Sequence, residues 1–259
     1  MAGSEATLES QDGIYTLTFR RPGALNALSS ELCRGVLAAL ARVNQDQGAR
    51  ALILTGEGRA FSAGADLKER EGAAPDAIWA HNRLIYQIPL ELEQMAVPTI
   101  AAVNGFALGG GCEVALGCDL RWASEAAEFA CPEVTRGIIP AAGGTQRLPR
   151  VVGLSRAMAL ILTGQRIGAA EAHRIGLVDA VVPPAELMAS VGELARTIGA
   201  NAPLAVRAAK QAMRHGLRES AAAGLELEGE LQRALYATDD CQEGIAAFRE
   251  RRSPRWAGR

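Results

Sequence analysis

Lysine is nearly absent from this chain of 259 residues: Lys68 and Lys210 stand against 25 arginines. Aromatics number only eleven and histidines three (His81, His173, His215). With so little histidine, no H-E-x-x-H and no C-x-x-C, no metal centre is expected. Cys33, Cys112, Cys118, Cys131 and Cys241 are read as reduced thiols rather than a disulfide framework. No apolar run reaches 18 residues, so no membrane span is expected. The opening MAGSEATLESQDG has no basic stretch followed by an apolar one, which leads to an expected cytoplasmic location. G-x-x-x-x-G-K-[ST] and G-x-S-x-G are both missing, removing the commonest nucleotide-binding and serine-hydrolase readings. Net charge is −2, which argues against a nucleic-acid binder resting on bulk positive charge.

What is present is alanine (50 residues), glycine (28) and an apolar share of 49%. The alanine and arginine bias reads as genomic composition. The apolar content is that of an ordinary globular protein with enough chain to bury a core. Residues 14–19 alternate as a half-buried strand does. Cys33, Val36, Leu37 and Leu40 fall at helical spacing over 31–46, behind Ser29 or Ser30 as a cap. The runs 51–55, 99–103 and 119–123 are short, apolar and unalternated, as strands covered on both faces are. A helix over 76–95 separates the first two, so the chain predicts an α/β domain. After about residue 185 four amphipathic helices follow, near 185–199, 203–215, 220–237 and 240–250. Leu227, Leu231 and Leu235 share one face of the third, which must pack on the core or on another subunit.

Three glycine-rich segments, 60–68, 104–113 and 132–148, lie at strand-to-helix transitions, where open α/β sheets bind ligands. Gly109, Gly110 and Gly111 sit at a predicted helix start. They fit either a tight turn with close packing or a backbone whose free N–H groups approach an anionic oxygen. Glu113 follows in the first turn, and Glu133 sits just after Pro132. Each glutamate alone can be a dipole complement; converging on one pocket, they would be general acid and base.

At these residues the chain resembles the enoyl-CoA hydratase/isomerase (crotonase) superfamily. The matches are F-S-A-G-A-D-L-K at 61–68, N-G-F-A-L-G-G-G-C-E at 104–113, P-E-V-x-x-G-I-I-P-x-x-G-G-T-Q-R-L at 132–148 and A-F-R-E-R-R at 247–252. The resemblance implies a ββα spiral catalytic core over 1–195 and a helical region over 196–259 that builds trimers, commonly paired into hexamers. It implies an acyl-CoA thioester substrate, with coenzyme A as part of that substrate and no separate cofactor. It assigns the oxyanion hole to the backbone N–H groups of Ala65 and Gly110. Coenzyme contacts fall by position on Ala24, Leu25, Ala63, Ala65, Asp66, Leu67 and Lys68. Phe248 and Arg251 match an aromatic and basic pair that reaches a neighbouring subunit's coenzyme. With glutamates at both 113 and 133, the implied reaction is reversible syn addition of water to a 2-trans-enoyl-CoA, giving a 3-hydroxyacyl-CoA.

There are departures. Gly23 stands where hydratases often carry a basic residue, a contact that Arg20 or Arg21 would have to replace. Cys131 replaces a frequent glutamine, and Ala141 a frequent glycine. The strings G-A-D-L-K-E-R and G-T-Q-R-L-P-R look like the methylglutaconyl-CoA hydratase branch, which makes that reaction, with Δ3,Δ2-enoyl-CoA isomerisation, the alternative activity. An RNA-binding role, known in that branch and tied to a lysine-bearing first helix, is disfavoured because this helix has only Arg34 and Arg42. No nucleic-acid or membrane partner is therefore expected.

Overall fold

The computed structural model describes residues 5–259. It opens with a hairpin of β1 (Ala6–Gln11) and β2 (Ile14–Phe19), then α1 (Ser30–Gln45), whose Ser29 side chain caps the Leu32 N–H. Three turns of one pattern follow. β3 (Ala51–Gly56) and β4 (Ala60–Ser62) lead to α2 (Pro75–Gln94); β5 (Thr99–Val103) and β6 (Phe106–Leu108) lead to α3 (Gly110–Gly117); β7 (Leu120–Ser124) and β8 (Glu128–Ala130) lead to α4 (Gly144–Val152). In each turn the first strand joins one sheet and the second joins another. The larger sheet runs β1-β2-β3-β5-β7-β10, parallel from β2 onward, and ends on β10 (Ala180–Val182). The smaller runs β4-β6-β8-β9, with β9 (Ile167–Gly168) antiparallel to β8. This is the ββα spiral that the resemblance implies.

The unalternated strands have two buried faces. Leu52 and Leu54 of β3 join the main core with Leu32, Val36 and Ile88. Ala51 and Ile53 face the other way, into a second cluster with Ile100, Leu187, Val191 and Ala195. The last three belong to α7 (Leu187–Gly199), so β3 is a strand between two apolar layers.

The short strands β4, β6 and β8 lie in or beside segments whose glycines read as loop. Three residues carry no usable period-two signal. Between α4 and β10 the chain also forms α5 (Leu154–Thr163) and α6 (Ala169–Arg174), which periodicity did not pick out. The C-terminal helices α8 (Pro203–Gly216), α9 (Ala221–Leu235) and α10 (Asp239–Glu250) fall within two residues of expectation. α8 docks through charge: buried Lys210 pairs with Asp119 (2.7 Å) and donates to Val97 O (2.8 Å), while Arg214 Nη2 reaches Asp119 at 2.8 Å. α9 has no buried residue, and its Leu225 is 67% exposed.

Candidate active site

Two backbone loops frame the site. Segment 25–28 runs beside 63–66: Ala63 N–H donates to Leu25 O (2.9 Å), Leu28 N–H to Gly64 O (2.8 Å) and Asp66 N–H to Leu28 O (3.2 Å). In this parallel bridge Gly64 O and Asp66 N face Leu28, so the Ala65 N–H between them points the other way. Gly110 lies on that side. A Cβ placed on Gly110 would stand 3.7 Å from Ala65 N, and one on Gly64 would stand 3.2 Å from Gly110 N. Gly110 is the first residue of α3, so its N–H has no acceptor within the helix. Neither N–H donates to another group among the described residues. The two predicted oxyanion donors are thus neighbours, free and side by side.

Buried Asn26 fixes the 25–28 loop. Its side chain donates to Ala60 O (2.7 Å) and Glu57 O (3.0 Å) and accepts from Arg21 N–H (2.8 Å). Leu25 and Asn26 both take left-handed conformations (φ 51° and 54°). Ala24 ends the 3₁₀ turn before them, on the surface. Asp66 is buried, and its carboxylate is already engaged, by Arg21 Nη1 (2.9 Å) and the Lys68 N–H (3.0 Å). Burial opposes its ionisation, but Arg21 and that N–H outweigh burial and hold the carboxyl below its usual range. Leu67 and Lys68 beyond it are exposed.

The expectation that Arg20 or Arg21 replaces a basic residue at Gly23 finds both arginines engaged. Arg21 turns inward to Glu5 (2.7 Å), Asp66 and Ala27 O, and Arg20 pairs with Glu57 (2.9 Å). Phe248 is 87% exposed, and Arg251, the left-handed residue closing α10, makes no ion pair among the described residues.

Glu113 lies on the fully buried α3 and is 2% exposed. Its Oε1 accepts from Ala142 N–H (2.8 Å) and Gly144 N–H (2.7 Å), two donors some thirty residues away in sequence. Its Oε2 takes no hydrogen bond from the described residues. Burial pushes the carboxyl up to about 7; the Gly144 and Ala142 N–H groups work against this, and the Glu133 charge adds to it. The loop carrying those N–H groups is itself pinned. Arg147 Nη1 donates to Ala142 O (2.8 Å), while Nε and Nη2 grip Glu93 of α2 at 3.0 Å each. Asn82 of α2 reaches Ala141 O at 3.4 Å, so the Ala141 carbonyl faces α2.

Glu133 opens a four-residue 3₁₀ turn. Its Oε2 is buried with no protein partner among the described residues. Burial raises this carboxyl, and its own N–H, Arg136 and Arg70 pull it back in part. Gly109 separates the glutamates' two elements. It holds φ 53°, ψ −125°, and a Cβ there would meet Glu133 Oε1 at 2.9 Å, so only glycine fits. Cys131 packs against Cys112, buried beside the site, and the Cys112 hydrogen bond together with burial raises its thiol.

Sequence reasoning found the glutamates and the glycines. It missed Ala142, Gly144, Arg147, Glu93 and Asn82, which hold Glu113 in place. Among the described residues no group of three or more His, Cys, Asp or Glu could hold a metal ion. No helix there is long and apolar enough to cross a membrane.

The enoyl-CoA hydratase/isomerase family model matches residues 9–259. A short-chain-enoyl-CoA hydratase of Clostridium acetobutylicum is 43% identical over 95% of this chain and 94% of its own. The 2,3-dehydroadipyl-CoA hydratase of Escherichia coli is 42% identical over 99% of this chain and all of its own. The crystal structure of an enoyl-CoA hydratase from Bacillus anthracis superposes with a TM-score of 0.97 at 40% identity, covering 98% of this chain and all of that one. Matched along nearly its whole length in sequence and in fold, this chain belongs to the enoyl-CoA hydratase/isomerase family.

Proposed function

We propose that the protein adds water reversibly across 2-trans-enoyl-CoA thioesters to give 3-hydroxyacyl-CoA. One observation carries this reading. Two buried carboxylates, each with an oxygen free of protein donors, flank a pair of free backbone N–H groups. Water brings two hydrogens and needs two acceptors, which Glu113 Oε2 and Glu133 Oε2 supply. As the water oxygen bonds to C3, Glu113 takes one of its protons. The C2=C3 electrons shift so that negative charge builds on the thioester oxygen, where the Ala65 and Gly110 N–H groups receive it. Glu133 delivers a proton to C2 from the same face, giving syn addition. The proton gained by Glu113 and the one lost by Glu133 exchange with solvent before the next turnover. Double-bond isomerisation needs only one carboxylate to move a proton; the second buried glutamate favours hydration.

On this reading the coenzyme would lie along Ala24, Leu25 and the 63–68 loop, with Lys68, exposed and without an ion pair among the described residues, at its phosphates. The Asp66 carboxylate, taken up by Arg21, contributes there through its backbone. A homotrimer, or a pair of them, accounts for Leu225, which α9 leaves exposed, and for Phe248 and Arg251, which would then serve a neighbouring subunit's coenzyme. The test is hydration of crotonyl-CoA by Glu113→Gln and Glu133→Gln. General acid and base roles predict losses of about 10²–10⁴ in kcat for each. Near wild-type kcat in both would overturn the assignment.

A further inference from the structure

Two arginines, Arg136 and Arg70, act on Glu133 through their charge; Arg136 is exposed, whereas Arg70 is partly buried. It leaves the 63–68 loop and leans on α2. Its Nε donates to His81 Nδ1 and its Nη2 to Asn82 Oδ1, both at 3.4 Å. His81 Nε2 lies 2.7 Å from the Leu28 carbonyl, which can only accept, so Nε2 carries the ring proton and Nδ1 is the lone-pair nitrogen turned to Arg70. Both partners of the guanidinium are therefore neutral acceptors at long range. Among the described residues no carboxylate lies within ion-pair distance of Arg70, and Nη1 has no partner. The neighbouring Glu69 is taken up by the Ser30 N–H and hydroxyl and lies 3.7 Å from His81 Nε2, without reaching the guanidinium.

This contrasts with the other arginines drawn into the fold around the site. Arg21 and Arg147 each hold a carboxylate at 3.0 Å or less. A partly buried arginine without an anion has lost water and gained little in return, and burial here weakens its hold on its proton.

Its position says where the missing anion would come from. Arg70 and Glu133 feel each other's charge. His81 ties it to Leu28, and Leu28 pairs with Ala65 of the oxyanion pair. Leu28 and Ile85 of α2 are also the side chains nearest to Gly110. The Arg70 backbone closes a turn on Leu67 O (3.1 Å), while its guanidinium turns to the α2 side, one layer from the reacting carbons. Resting on the hydration reading above, we propose that Arg70 is a specificity-determining residue that binds a carboxylate at the far end of the acyl chain. The preferred substrates are then enoyl-CoA thioesters of dicarboxylic acids.

The comparison is kcat/KM for 2-trans-hexenoyl-CoA against 2,3-dehydroadipyl-CoA, equal in backbone length and differing by the terminal carboxylate, with 3-methylglutaconyl-CoA as the shorter carboxylated probe. Wild-type protein should favour one of the carboxylated substrates over hexenoyl-CoA. Arg70→Gln and Arg70→Met should cut kcat/KM for it by about 10–100-fold more than for hexenoyl-CoA, mainly through KM, the loss of one charge-assisted contact. Arg70→Lys should recover part of that loss. Equal losses on both substrates, with the pH profile moved in the same way for each, would mean that Arg70 only tunes Glu133 and would overturn the proposal; so would an unchanged preference. Failure of the wild type to hydrate any of the three would overturn the hydration reading itself, and this inference with it.

Discussion

Replacing Glu113 by glutamine should remove activity and yet stabilise the fold, by an amount set by pH. The geometry permits the exchange. Glutamine keeps a carbonyl oxygen where Oε1 accepts the Ala142 and Gly144 N–H groups, and puts its amide where Oε2 stood. What changes is the charge. In the fold this carboxyl titrates near 7, against an ordinary value of 4.5, because burial disfavours the anion. A raised folded-state value means that the folded chain binds the proton more tightly than the unfolded one. Stability is thus unpenalised below the unfolded value and is lost as pH climbs from 4.5 to 7. A difference of 4.5 to about 7, at 1.36 kcal/mol per unit, comes to about 3 kcal/mol. Glu113→Gln never meets this cost. Relative to wild type it should gain about 3 kcal/mol between pH 4.5 and 7, and nothing further above 7. For a chain of this size that is a Tm difference growing by about 6–12 °C. Thermal unfolding of both proteins in a pH series measures it directly, since other titrating groups are common to the two. A Tm difference that is flat with pH, or that turns against the variant as pH rises, would show that Glu113 is not a desolvated carboxylate and would remove the physical basis for its role as base.

Two further outcomes can be checked. Gly109→Ala should lower kcat by about 10²-fold in folded protein, measured with crotonyl-CoA, because the added methyl meets Glu133 Oε1 at 2.9 Å and the residue must leave φ 53°. Lys210→Ala should cost about 2–3 kcal/mol in unfolding experiments, since half-buried Asp119 keeps Arg214 but loses its 2.7 Å partner in the buried lysine, while crotonyl-CoA hydration at 25 °C stays within a few-fold of wild type.

The parts of this fold that could be read from sequence are those where one physical constraint acts over several residues. β3 and β5 are runs of five or six buried residues with apolar layers on both sides, and they stand out as unbroken apolar segments. α2 repeats its buried positions at helical spacing through Ile85, Ile88 and Leu92. β4, β6 and β8 could not be read in this way, because three residues end before any period shows. Lys210 was equally hidden: on an amphipathic helix a lysine reads as solvated, and only Asp119 and Val97 O, some hundred positions away, make it a buried ion. At the site, glycines next to a glutamate marked α3, since three glycines in a row are costly unless backbone must come close to something. The grip on Glu113 left no mark. Its donors are the N–H groups of Ala142 and Gly144, which every residue but proline possesses, and Arg147 acts on them through a carbonyl. Arg70 looked like any surface cation in the string K-E-R; only the lack of a carboxylate within ion-pair distance among the described residues sets it apart.

The start of α3 couples the proposed oxyanion donors to the proposed proton chemistry. A Cβ on Gly111 would fall 2.3 Å from Ser62 O, so its missing side chain lets the helix lie directly on the β4 backbone. That contact brings Gly110 N–H beside Ala65. It also seals all eight residues of α3 from solvent, and the desolvated Glu113 one turn later is a consequence. A side chain at 111 would therefore disturb both functions at once: lifting the helix separates the two N–H groups and lets water reach the carboxylate, lowering the proton affinity that makes it a base near neutrality. The same buried environment leaves Glu133 Oε2 without a protein donor, since any such donor would compete with the water that the reaction consumes. In the proposed mechanism the backbone N–H groups receive the thioester's charge, and Arg21 and Arg147 are taken up by Asp66 and Glu93. Arg70, by contrast, has no carboxylate within ion-pair distance among the described residues, and this is the observation behind its proposed role in substrate choice.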